Sequence, residues 1–73
     1  MKLVSIVVPV YNEEENIRHF YGAVCENMAG LDYDFELIFV DDGSKDRSRA
    51  ILRELEKEDS RVQPIFLARN FGH

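Results

Sequence analysis

Cysteine occurs once, at Cys25, and tryptophan not at all, so no internal disulfide can staple these 73 residues. A single thiol suits a reducing compartment or serves as a small buried apolar side chain, and the second reading is preferred. No apolar run approaches the roughly 20 residues that cross a bilayer, which excludes a transmembrane helix. The opening Met-Lys-Leu-Val-Ser-Ile-Val-Val resembles a signal peptide. It runs into Asn12-Glu13-Glu14-Glu15 with no small-residue cleavage site, and that reading is set aside. Positive charge is also scarce, with nine Lys and Arg against fourteen Asp and Glu and a net charge of -5. Phosphate backbones demand clustered cations, so nucleic acid is excluded as a partner. Five of the basic residues fall between Lys45 and Lys57, but acids are interleaved with them, as on a solvated helix face. Only four glycines occur and none lies in the first connection. Neither a Gly-x-Gly-x-x-Gly fingerprint nor a Walker loop is therefore present.

What remains is 45% hydrophobic and 32% charged, the balance of a globular segment. Val4 to Val8 is nearly all apolar and β-branched, as in a strand buried on both faces of a parallel sheet, and Pro9 marks the end of its regular pairing. Asn12 is a good N-cap, with Glu15 in the position of a capping-box acid and three glutamates at the favourable end of the helix dipole. A helix from Glu13 to Met28 is predicted, with Ile17, Phe20, Tyr21, Val24 and Met28 as its buried stripe. Gly22 inside it suggests close packing on the sheet, and Gly30 helps to end it. Asp32-Tyr33-Asp34 leads into a strand over Phe35 to Val40. A second helix, capped by Ser44 or Asp46, runs to Glu58 with Ala50, Ile51, Leu52 and Leu55 inward and a Glu54 to Lys57 pair outside. A third strand covers Val62 to Leu67, where Pro64 implies an edge.

The alternation predicts an α/β fold, a three-stranded parallel β-α-β-α-β unit that is half of a doubly wound domain. No repeat, low-complexity stretch or linker divides it, so residues 1–73 form one unit. Domains this small bury only about 60% of the surface their unfolded chain exposes. With strand order third, second, first, the apolar first strand is left as an open edge, which predicts self-association or instability.

Ligands of open parallel sheets sit beyond the carboxyl ends of the strands. Three clusters meet there: Pro9 to Glu13, Asp41 to Ser44, and Arg69 to His73. Acids and Tyr11 replace the usual phosphate-cradling glycines, so this end suits a ribose or base, with Tyr11 as a stacking surface. Each feature also has a plainer reading. Asp41 and Asp42 can cap the following turn and helix, and neighbouring strand residues point to opposite faces. Tyr11 can be packing and the glutamates can be dipole partners. His19 is assigned to the surface.

Three stretches carry a resemblance: Val-Ser-Ile-Val-Val-Pro-Val-Tyr-Asn-Glu-Glu-Glu-Asn-Ile, Phe-Glu-Leu-Ile-Phe-Val-Asp-Asp-Gly-Ser-Lys-Asp-Arg-Ser and Ala-Arg-Asn-Phe-Gly-His. In register, they resemble the amino terminus of family 2 glycosyltransferases, in the branch of dolichol-phosphate mannose synthases and bactoprenol glucosyltransferases. The resemblance implies a Rossmann-like GT-A nucleotide-binding domain. It also implies transfer of a hexose from a UDP- or GDP-sugar to a polyprenyl phosphate at the cytoplasmic membrane face, with Mg or Mn in the complete enzyme. By position, Pro9, Tyr11 and Glu13 would line the nucleoside pocket, Asp41 first, with Asp42 as its second, would contact base and ribose, and Arg69, Asn70 and Gly72 would begin a loop over the donor.

Family members continue for well over a hundred residues beyond this point, through an Asp-x-Asp metal motif and the catalytic acids. Asp32-Tyr33-Asp34 has the spacing, but it precedes a strand where the motif should follow one. The expectation is a truncated, cytoplasmic nucleotide-sugar-binding front end with no catalytic or metal-binding residue of its own. The alternative is a non-catalytic module that assembles through the open first-strand edge. A receiver-like signalling domain ranks below both, because its acidic pair follows the first strand rather than the second.

Overall fold

A computed structural model describes residues 2–67. Three parallel strands, β1 (Lys2–Val10), β2 (Tyr33–Asp41) and β3 (Val62–Phe66), alternate with two helices, α1 (Ile17–Met28) and α2 (Ser48–Glu58). The sheet order is β1-β2-β3, with Val10 beside Asp41 and Asp41 beside Phe66. This is the Rossmann-like half-domain that the alternating pattern predicts. Two successive crossovers of the usual hand, both stepping the same way, put both helices on one face.

That face carries the core. Phe35, Leu37 and Phe39 of β2, Val10 of β1 and Val62 of β3 are buried against Ile17, Leu52 and Leu55. Because side chains alternate along a strand, the opposite face receives Leu3, Ser5, Val7 and Pro9, then Glu36, Ile38 and Val40, then Gln63 and Ile65. No described helix covers it, and Leu3 and Val7 remain more than 60% exposed, so β1 is not buried on both faces as its apolar composition suggests. Glu36 at its centre accepts hydrogen bonds from Ser5 and from Gln63 Nε2.

At the amino ends of the strands a polar latch joins the layers. Tyr21 Oη donates to Asp59 at 2.6 Å, and Arg61 grips the same carboxylate at 3.0 and 2.8 Å while lying 4.2 Å from the Phe35 ring centre. Arg61 first, then Tyr21, holds the Asp59 carboxyl well below its ordinary range.

Several local expectations change. Pro9 lies inside β1, paired with Val40, and is tolerated because β1 is an edge strand. Helix α1 starts at Ile17, not Glu13, and its first turn contains no acid. The capping box of Asn12 and Glu15 is not formed, because Asn12 adopts a left-handed conformation with φ of 52° and belongs to the preceding loop. Phe20 is 38% exposed, meeting Phe39 edge-on at 6.2 Å, and Cys25 joins the stripe packed on the core. Ala50 is exposed, whereas Ser48 is buried in its helix. Glu54 pairs with Arg18 at 3.0 Å across the two helices rather than with Lys57. Strand β2 begins at Tyr33, earlier than the polar Asp32-Tyr33-Asp34 stretch suggests. Gly30 does not supply a left-handed cap, since α1 ends through Ala29 in the right-handed region and Gly43 is the positive-φ glycine among the described residues.

Gly22 is exposed, and a methyl group added there would meet nothing within 4 Å, so close packing does not explain it. Glycine in a helix interior costs about 0.5–1 kcal/mol relative to alanine. Gly22→Ala is therefore expected to stabilise the chain by that amount and raise Tm by roughly 2–8 °C. Thermal melts followed by circular dichroism check this, and an unchanged or lower Tm would contradict it.

Candidate functional site

The carboxyl ends of β1 and β2 deliver two loops that interlock through side chains bonded to the other loop's backbone. Asn12 N–H donates to Ser44 Oγ at 2.9 Å, and Asn12 Oδ1 accepts from Lys45 N–H at 2.8 Å. Glu13 N–H donates to the buried Ser48 Oγ at 2.9 Å, and Glu14 N–H to Asp46 Oδ2 at 3.2 Å. In return Arg47 N–H donates to Glu14 Oε1 at 2.9 Å. Backbone groups that two loops would otherwise leave to water are thus satisfied mutually. Neither proposed cap of α2 holds that position, which is Arg47 without a side-chain cap bond, although Asp46 just before it accepts from Ser48 N–H at 2.8 Å.

The adjacent acids part company at the end of β2. Asp41 is the last residue of the strand and is fully buried. Its Oδ1 accepts from Gly43 N–H and Ser44 N–H, both at 2.9 Å, and from Arg49 Nε at 3.0 Å. Gly43, at φ of 82°, supplies the left-handed turn that this wrapping needs. Burial alone would push the Asp41 carboxyl up, but Ser44, Arg49 and the Gly43 amide outweigh it and hold it below its ordinary value. Its Oδ2 is buried with no partner among the described residues. Asp42 is exposed, with its N–H on the Val10 carbonyl at 3.0 Å. Of the two readings left open for this pair, turn capping describes the Asp41 side chain, and Asp42 is the carboxylate that solvent can reach.

Beside the interlocked loops lies an open, largely apolar depression of about 160 Å³. Val8, Pro9 and Val10 of β1, Glu13, and Asn16, Ile17 and Phe20 around the start of α1 line it, with Phe39 at its floor. Glu13 Oε1 accepts from Asn16 Nδ2 at 3.0 Å, which turns that carboxylate toward the helix start. Tyr11 is 42% exposed at the tip of the first loop. The structure therefore brings Pro9, Tyr11, Glu13, Asp41 and Asp42 to one end of the sheet, while Arg69, Asn70 and Gly72 lie outside the described residues.

Asp32-Tyr33-Asp34 is at the other end. At roughly 3.3 Å per residue, the length of β2 puts Tyr33 about 26 Å from Asp41. Among the described residues no three His, Cys, Asp or Glu side chains gather to hold a metal ion. Asp41 Oδ1 is already shared by an Arg and two amides, and Asp42 stands as one exposed carboxylate. No described helix is long and apolar enough to cross a membrane.

Sequence reasoning gave Asn12 and Glu14 to helix capping and the helix dipole rather than to a clamp, and passed over Ser48 and Arg49. Their residue types were a signal, since Asn, Ser and Asp readily bond backbone in turns. The clamp's partners lie more than thirty positions away, as in the Asn12 to Ser44 and Glu13 to Ser48 bonds, and those of Arg49 lie 8 and 18 away, so no local spacing displays them.

The elements thus define a class, a Rossmann-like α/β half-domain with a braced, acidic platform at its strand carboxyl ends. Comparison with known families narrows it: residues 5–73 match the model of glycosyl transferase family 2, and the chain belongs to that family. It is 55% identical over 69 residues to the uncharacterized glycosyltransferase YkcC of Bacillus subtilis (strain 168). It is 45% identical over 69 residues to the bactoprenol glucosyl transferase of Shigella phage SfV. It is 44% identical over 70 residues to the undecaprenyl-phosphate 4-deoxy-4-formamido-L-arabinose transferase of Proteus mirabilis (strain HI4320). Each match covers 94% of this chain but only 21% or 22% of the relative, so the chain spans about a fifth of their length.

The clamp has a direct test. Asn12→Ala removes the Oδ1 acceptor and places a Cβ residue without a local polar group at positive φ, so a loss of about 1–3 kcal/mol is expected. Asn12→Gly relaxes only the backbone and should recover part of that loss, and Asn12→Asp, which keeps the acceptor, should recover more. Urea denaturation of the three variants reads the order, and equal stability of Ala and Asp variants would remove the clamp's energetic role.

Proposed function

We propose that this chain is the nucleoside-recognising front of a glycosyltransferase that moves a hexose from a UDP- or GDP-sugar to a polyprenyl phosphate, and that it is not catalytic alone. The observation that carries the reading is the placement of exposed Asp42 and Tyr11 on two interlocked loops at adjacent strand ends. A carboxylate there accepts from ribose hydroxyls or a base N–H, and a tyrosine ring offers a face for stacking. Pro9 and Glu13 form the rim of the neighbouring depression. Asp41 serves from behind, shaping the turn that presents Asp42. Arg69, Asn70 and Gly72 are assigned to a loop over the donor.

The acceptor follows from the names of two relatives, one acting with bactoprenol and one with undecaprenyl phosphate. The Mg or Mn of the complete enzyme, and its catalytic acids, are assigned to sequence beyond the matched fifth. Cytoplasmic placement, at the membrane face for the complete enzyme, goes with this donor chemistry.

Calorimetric titration with UDP-glucose, GDP-mannose and the free nucleotides, with and without Mn, tests the proposal. Weak binding that does not require metal is expected, falling about tenfold or more in Asp42→Asn through loss of a charge-assisted hydrogen bond. A folded chain that binds none of these ligands would overturn it.

The bare sheet face and the free β1 edge favour a second reading, assembly through those surfaces. Leu3, Val7 and Ile65 are exposed by 61%, 62% and 46%, and among the described residues β1 is paired on one side only. Light scattering is expected to detect self-association that Val7→Lys reduces. A monodisperse monomer with a cooperative melt would eliminate this reading.

A further inference from the structure

We infer that Arg49 is a positioning residue of the proposed nucleoside site, fixing the acid turn relative to the end of β3, an assignment that rests on the nucleoside reading above. Arg49 occupies the first turn of α2 and looks from sequence like one more charge on a solvated helix. In the fold its guanidinium turns back over the sheet. Nε donates to Asp41 Oδ1 at 3.0 Å and Nη2 donates to the Leu67 carbonyl at 2.7 Å. The group lies 5.2 Å from the centre of the Phe66 ring, which gives its planar face a support.

The contacts close a ring. Leu67 N–H donates to the Asp41 carbonyl at 2.8 Å, Leu67 carbonyl accepts from Arg49, and Arg49 returns to the Asp41 side chain. Asp41 Oδ1 also holds the Gly43 and Ser44 amides, so the residue between them in the turn, Asp42, is placed by the same carboxylate. Arg49 is the cation paired with this fully buried charge among the described residues. Its removal would leave the charge uncompensated, and the turn would lose one of the three donors that orient it.

A lysine cannot substitute. Its ammonium is a single point, whereas the two acceptors here are met by two N–H groups of a rigid fork. Arg53 provides an internal control: it also lies over Phe66, at 4.5 Å, but touches neither Asp41 nor Leu67 in the ring.

The test uses the whole chain as wild type, Arg49→Met, Arg49→Lys, Arg53→Met and Asp42→Asn. Titration with UDP and GDP is read by calorimetry, and backbone amides by 1H–15N spectra. For Arg49→Met, affinity is expected to fall about tenfold or more, with the Gly43, Ser44 and Leu67 amide resonances moving together. Arg49→Lys should restore thermal stability more than affinity, and Arg53→Met should leave both readouts as in wild type. If Arg49→Met does not fold, Arg49→Lys carries the test. Wild-type affinity in a folded Arg49 variant, alongside loss in Asp42→Asn, would overturn the positioning role and leave the nucleoside reading intact. If the wild type binds neither nucleotide, the nucleoside reading fails. The ring itself is then judged by the amides, and Gly43 and Ser44 resonances unmoved in Arg49→Lys would overturn it.

Discussion

A negative charge sealed at the end of the middle strand is the constraint on which this half-domain depends. Asp41 has no solvent exposure, yet its carboxyl is held toward the ionised form by amides and a guanidinium. An isolated carboxylate in such a place is untenable, and the surrounding groups are the conditions of its presence. Gly43 has to turn through positive φ, Ser44 has to present its amide, and Arg49 has to fold back from α2. From Ser44, the bond to Asn12 extends the ordering to the first loop. One buried acid therefore orders three chain segments at the end of the sheet where the ligand is proposed to bind.

The strands and helices were legible because each rests on a pattern of near neighbours. Phe35 to Val40 reads as a strand from composition, and Leu52 and Leu55 as a helix stripe from spacing. The strand order third, second, first was a premise that the sheet meets, and the open first edge rests on it. The helix start at Ile17 was not legible. Asn12 and the glutamates satisfy every local rule for a cap, but their backbone amides are claimed by Ser44, Ser48 and Asp46 in the other loop. Tertiary bonds outweigh a local preference whose worth is about 1 kcal/mol. The same limit hid Arg49, whose partners are 8 and 18 positions away on other elements.

The site shows the same division. Sequence placed Pro9, Tyr11, Glu13 and the two acids at one end of the sheet, because topology alone decides that. It put the nucleoside contact on Asp41 first, whereas the structure buries Asp41 and leaves Asp42 exposed. Alternation across the sheet gives the helix-covered face to Asp41, in line with Phe35, Leu37 and Phe39, and the strand ends before Asp42 is committed to a face. Burial of the first acid and freedom of the second are consequences of where β2 stops, a boundary that composition does not mark.

The one-sided sheet bears on how such a platform can work. Phe39 and Val10 anchor its inner side to the core, while Val7, Ile38 and Ile65 on the outer side meet no described helix. A face of that character is held flat and dry only when something lies against it. The loops are different, since their bonds run between each other and into the helix-covered layer. The acid platform is thus braced from the finished side of the sheet, and its geometry does not wait on what covers the other. Recognition of a ligand by Asp42 and Tyr11, as proposed, can accordingly be a property of these residues and of the loops that brace them.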